Sequence, residues 1–180
     1  MAHITLPEGV PGIGGPLRQY PEAAKHLLGL AQTLLRGPSS LTEAEREVIA
    51  TYVSSQNECA FCMNSHGAAA RSLLGADAGI VDQVKTDFER ADISEKMKAL
   101  LVIAGKVQQG GRRVSDSDVA RARTAGADDK AVHDTVLIAA AFCMYNRYVD
   151  GLATFAPTDP AEYVRMGEGL ARNGYGLGAS

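Results

Sequence analysis

The sequence has few cysteines, no run of positive charge, no long apolar stretch and no segment that alternates like a strand. Each shortage excludes something. Cysteine occurs three times in 180 residues, at Cys59, Cys62 and Cys143. An odd count in a chain of this length argues against a secreted disulfide scaffold. No Lys/Arg run exceeds two residues and the net charge is only −3. The clustered positive charge that phosphate binding needs is missing, so no nucleic-acid partner is expected. The longest apolar runs, such as 136-VLIAAAFCMY-145, are too short to span a bilayer, so no membrane partner is expected either. The opening MAHITLPEGVPG has no basic start followed by an apolar core. No export signal is therefore expected, and the cytoplasm is the expected location.

The composition is 46% hydrophobic, enough for a core without staples. One domain over 1–180 is expected, with an irregular arm over 1–18 and a flexible tail over 173–180. Glycines and prolines crowd the arm. Helical spacing begins in 20-YPEAAKHLLGLAQTLLRG-37, with Pro21 suited to a first turn and Gly37–Pro38 to a stop. Thr42 and Glu45 form a capping box that starts a second helix, ending near 54-SSQN-57. Asn57 is placed to cap a third helix from about Glu58 to Leu74. Further helices are expected over 79–88, 94–110, 115–124, 128–153 and 160–172. The fold class is all-α, a compact multi-helix bundle. The segments 41–53 and 93–105 share a pattern of apolar start, cap, charges and apolar face. An internal repeat and two independent amphipathic helices explain it equally well.

The chemistry concentrates in 58-ECAFCMNSH-66. On a helix Cys59 and Cys62 are i,i+3, and Cys62 and His66 are i,i+4, so the three share a face. A dithiol at that spacing closes a disulfide with little backbone motion. Cys59 falls in the expected first turn, where free N–H groups favour a thiolate. Cys62 instead has an imidazole one turn on that can take its proton. A thiolate attacking a peroxide oxygen would give a sulfenic acid, which the second thiol would close to a disulfide. A separate dithiol donor would then reset the pair. Two other readings compete: a structural thiol pair, and a zinc site built from Cys59, Cys62, His66 and a carboxylate. A thioredoxin-type motif needs a preceding strand, which is missing.

The run 47-EVIATYVSSQNECAFCMNSH-66 resembles the E-x11-C-x2-C-x3-H pattern of the alkylhydroperoxidase D-like branch of the carboxymuconolactone decarboxylase family. The segment 144-MYNRYVDGLATF-155 is similar to the N-R-x-x-D-x-L helix of its peroxidase-related members. The resemblance implies an all-helical protein that assembles as a trimer or hexamer, sometimes a dimer. It implies that Cys62 attacks peroxide, that Cys59 resolves it, and that Glu47 and His66 form a proton relay with a water. A thiol-dependent peroxidase acting on hydrogen or organic hydroperoxides follows, with an external dithiol reductant and no cofactor. The helix-dipole argument favours Cys59 and the imidazole favours Cys62; Cys62 is taken as the attacking thiol. One departure stands out. The family pattern often has a histidine beside the second cysteine, where this chain has Phe61, so the site is more apolar. That favours a bulky or organic peroxide or weakens the activity.

A non-enzymatic redox sensor or structural oligomer is the alternative reading, ahead of a metal-binding module or a lactone decarboxylase. The decarboxylase branch generally lacks the CxxC pair. Among the remaining candidates, Cys143 reads as a buried core thiol and Tyr52 as core packing. His133 reads as a helix surface or interface residue, and His26 as a possible lining of the same cavity. Asn146, Arg147 and Asp150 are assigned a structural role ahead of a catalytic one.

Overall fold

The computed structural model describes residues 1–176. Among these the regular structure is helical throughout, with no strand. The helices are α1 (Gly14–Gln19), α2 (Pro21–Arg36), α3 (Glu43–Gln56), α4 (Ala60–Leu74), α5 (Ile80–Asp87), α6 (Glu95–Gln109), α7 (Asp116–Thr124), α8 (Asp129–Gly151) and α9 (Pro160–Asn173). No helix among the described residues is long and apolar enough to cross a membrane.

Local chemistry explains most of the boundaries. Pro21 occupies the first position of α2, where its missing N–H costs nothing. The capping box is formed: Thr42 accepts from the Glu45 N–H, and Glu45 accepts from the Thr42 N–H. Ser115 and Asp118 form a second capping box at α7, and Ser94, Asp128 and Asp159 each accept one backbone N–H at the starts of α6, α8 and α9. The arm over 1–18 is not wholly irregular. Helix α1 forms in it because Pro16 falls in the first turn, where no intrahelical N–H is needed.

The expected start of the third helix also shifts. Asn57 caps the end of α3, not the start of α4. Glu58 adopts a left-handed conformation with φ 58°. The Cys59 N–H reaches back to the Ser54 carbonyl at 3.1 Å. This is the reversal that ends many helices, usually with glycine at the left-handed position. Cys59 thus becomes the N-cap of α4, and Cys62 its third residue.

Helix α3 is the centre. Every residue from Arg46 to Ser54 is buried, because α4, α6 and α8 all pack on it. Arg46 Nη1 donates to the Leu34 and Gly37 carbonyls at 3.0 and 2.9 Å. It closes the end of α2 and fixes Arg36 beside α3. Helix α4 is held between α3 and α9. At the α4–α9 crossing Gly167 lies on Ala68, where an added Cβ would fall 2.4 Å from the Ala68 carbonyl carbon. Most core side chains form one cluster. A second, smaller one holds Cys59, Phe61, Cys62, Val149 and Tyr163.

Candidate active site

Glu47 sits in the middle of α3, with no exposed surface. Its Oε2 lies 2.9 Å from His66 Nδ1. Antiparallel packing of α3 on α4 makes this contact, because the tight turn at Glu58 folds α4 back along α3. Two further groups meet the other oxygen. Arg36 Nη2 is 2.7 Å from Oε1, and the Tyr175 hydroxyl donates to Oε1 at 2.6 Å. Burial alone would push the Glu47 carboxyl up. The hydrogen bond and charge of His66, the charge of Arg36 and the Tyr175 hydroxyl overcome it and hold the group below its ordinary value. Glu47 is therefore an ionised carboxylate. In the tautomer that donates from Nδ1 to Glu47, the His66 Nε2 lone pair is free.

The two thiols are buried and reduced. They are unequal. The Cys59 S–H donates toward Cys62, which pulls Cys62 below the ordinary thiol value. The charge of His66 and the side chain of Asn146 add to this, against burial and the charge of Asp150. The same hydrogen bond, burial and the Asp150 carboxylate push Cys59 far up. The start of α4 at Ala60 also changes the dipole argument. Cys62 itself lies in the first turn, so the free N–H groups and the imidazole favour the same sulfur.

Cys62 and His66 line a cavity of about 60 Å³ walled by Leu17, Leu28, Phe61, Phe142 and Tyr175. Phe142 stands edge-on to His66 with ring centres 4.6 Å apart. Phe61 packs over Gly12 and, at 6.4 Å between centres, beside Tyr163. The Phe61 that replaces a polar residue thus closes an apolar wall. Below the sulfurs a polar chain runs from Gln108 through Asn57 and Asn146 to Ser54, with contacts of 2.9, 2.8 and 3.1 Å. It accounts for buried Asn146 and gives Asn57 its real task.

All four expected site residues, Glu47, Cys59, Cys62 and His66, occupy one region. Some lesser expectations fail. His26 is exposed on α2 and does not line the cavity, because it falls outside that helix's buried stripe. Cys143 is only half-buried, and its sulfur accepts weakly from Asn57 Nδ2 at 3.7 Å. Two others agree with the structure: Tyr52 packs on Phe88 in the core, and His133 is exposed beside Asp134. Among the described residues no three His, Cys, Asp or Glu side chains converge as a metal site.

Two site residues escaped the sequence reading. Arg36 is a basic residue in the last turn of α2, with no local signal that sets it apart. Tyr175 fell within the expected flexible tail, yet it is buried. Gly174, with φ 67°, ends α9 and turns the chain inward. The Tyr175 N–H then donates to Gln32 Oε1 at 2.7 Å. The available signal was an aromatic residue flanked by a helix-ending glycine. Residues 177–180 of that tail lie outside the described residues.

This is an all-α fold of the alkylhydroperoxidase D-like type, with a buried dithiol at a helix start. Residues 21–84 match the model of the carboxymuconolactone decarboxylase family. That match and the fold together make the chain similar to this family, on its alkylhydroperoxidase D-like side. The structure is similar to an uncharacterized peroxidase-related protein from Ralstonia eutropha JMP134 with an alkylhydroperoxidase AhpD core. The TM-score is 0.78 and the identity 27%, over 88% of this chain and 81% of that one. An uncharacterized peroxidase-related protein from Silicibacter sp. TM1040 is also 27% identical, with a TM-score of 0.74 over 83% of this chain and 78% of that one. A protein of unknown function from Agrobacterium tumefaciens shares the fold at 21% identity and a TM-score of 0.68, over 80% of this chain and 97% of that one. No curated protein matches the chain in sequence.

Proposed function

We propose that the protein is a thiol-dependent peroxidase in which Cys62 is the attacking thiol and Cys59 the resolving one. The observation that carries this reading is the 2.9 Å contact of buried Glu47 with partly buried His66, beside a cavity that His66 shares with Cys62. His66 Nε2 takes the Cys62 proton, and the thiolate attacks one peroxide oxygen. An S–O bond forms, the O–O bond breaks, and the leaving oxygen departs as water or alcohol with the proton returned by His66. Cys59 then attacks the sulfenic sulfur; an S–S bond forms and water leaves. An external dithiol restores both thiols by exchange. Lactone decarboxylation would have no use for the paired thiols. The small cavity suits hydrogen peroxide or the end of a short alkyl hydroperoxide better than a bulky one, since about 60 Å³ holds only a few heavy atoms. The same reading includes a homo-oligomer. It is supported by Leu137, Ala140 and Met144, which leave an exposed apolar stripe at helical spacing on α8.

The test is a panel of hydroperoxides with thiol trapping on the parent and on each cysteine variant. Peroxide should convert Cys59 and Cys62 to one intramolecular disulfide, and Cys62→Ser should abolish turnover. Thiols that stay reduced under excess hydroperoxide would sink the reading. A redox sensor is the second reading, favoured by the narrow apolar cavity. It predicts oxidation of the same pair with no turnover when a dithiol donor is supplied.

A further inference from the structure

The Glu47 carboxylate has two competing partners. Arg36 presents a planar fork, and such a fork usually takes both oxygens of a carboxylate. Here Arg36 contacts only Oε1, at 2.7 Å, and Oε2 is left to His66 at 2.9 Å. The Tyr175 hydroxyl is the third group at this junction. It donates to Oε1 at 2.6 Å and lies 3.1 Å from His66 Nδ1. Its ring lies nearly parallel to His66, 13° apart with centres separated by 5.7 Å, and the Arg36 guanidinium carbon lies 5.1 Å from the ring centre. One side chain therefore touches all three charged or titratable members. Burial and the neighbouring Glu47 charge push the Tyr175 phenol well above its ordinary value, so it stays a donor.

We propose that Tyr175 is a positioning residue of the relay: its hydroxyl holds Glu47 in the orientation that gives Oε2 to His66, against two-pronged capture by Arg36. This deepens the relay proposed above and rests on it. Without the hydroxyl the carboxylate turns toward Arg36. His66 Nδ1 then loses its acceptor, and the imidazole no longer presents a fixed lone pair on Nε2 to the Cys62 S–H. The groups facing this site are Arg36 from α2, Glu43 and Glu47 from α3, Cys59 at the N-cap of α4 with Cys62 and His66 from α4, Tyr145 and Asp150 from α8, and Tyr163 from α9. Only Arg36, Glu47 and His66 touch Tyr175 through the contacts that set the orientation. The segment after α9 thus completes the site from more than a hundred residues away in sequence, with |i−j| of 128 to Glu47.

The experiment uses the full chain and needs no peroxide. Alkylation of Cys62 by iodoacetamide is followed against pH, with the site assigned by mass spectrometry, in the parent, Tyr175→Phe and Tyr175→Phe/Arg36→Lys. Tyr175→Phe should raise the midpoint by about one pH unit, a loss of about tenfold in reactivity near neutrality. Arg36→Lys offers a single point charge, not a fork, and should restore most of that loss. A Tyr175→Phe profile that superimposes on the parent overturns the proposal, as does a loss that Arg36→Lys leaves unrepaired. Nitrogen NMR of histidine-labelled parent protein decides independently, even if the variants do not fold. His66 protonated on Nδ1 supports the proposal, and protonation on Nε2 overturns it. These readouts separate the two levels of inference. An unaltered profile in a protein that still turns over peroxide removes the role of Tyr175 and leaves the peroxidase reading intact.

Discussion

A carboxylate with no exposed surface stays ionised only when donors surround it, and Glu47 has His66, Arg36 and Tyr175. Its value in the folded state lies below that of the unfolded chain, about 4.3. Between the two values the unfolded state holds more protons, so stability rises with pH through that window. The contribution is complete above the unfolded value and is lost as pH falls through the folded one. Glu47→Gln should flatten this acid slope and lower stability at neutral pH by about 3 kcal/mol, because the buried Arg36 charge then keeps only the partly exposed Glu43, at 3.5 Å, as an ionic partner. Denaturant unfolding at several pH values checks both. Cys59, Cys62 and His66 were legible at this scale because they lie within about two helical turns. Glu47 was reachable through the spacing of the pattern. Arg36 and Tyr175 were not, since their identities are commonplace and their roles depend on where the ends of α2 and α9 arrive.

At the scale of elements, caps and stops were read well because they depend on neighbours in sequence. Thr42, Glu45, Ser94 and Gly37 act where their side chains or backbone predict. The turn between α3 and α4 was harder, because a glutamate occupies the left-handed position that glycine normally signals. The α4–α9 contact has no local signature at all. There two backbones meet at Gly167, and any side chain must push them apart. Gly167→Ala should cost about 1–3 kcal/mol by overpacking. It should also displace α9 and with it Tyr175, so Cys62 reactivity should fall together with stability. An unfolding curve and an alkylation profile matching the parent would contradict this view of the crossing.

At the scale of the whole molecule, the cavity wall draws on α1, α2, α4, α8 and the segment after α9. The stripe on α8 faces outward in the single chain. Light scattering should give a multiple of the monomer mass, and Leu137→Asp with Met144→Asp should reduce it to the monomer. A parent that is already monomeric would remove the oligomer from the proposal. The two patterned segments, 41–53 and 93–105, became α3 and α6, which pack together and against α8. By itself the sequence determined the helical class, most helix ends, and a dithiol with a histidine one turn on. Those properties follow from spacing and from interactions within a few residues. Only the tertiary structure decided which sulfur combines the helix start with the imidazole. It alone brought Arg36 and Tyr175 onto Glu47 and closed the cavity with Phe61 and α1. Those outcomes depend on how helices distant in sequence cross, and a buried carboxylate is defined by every group that reaches it.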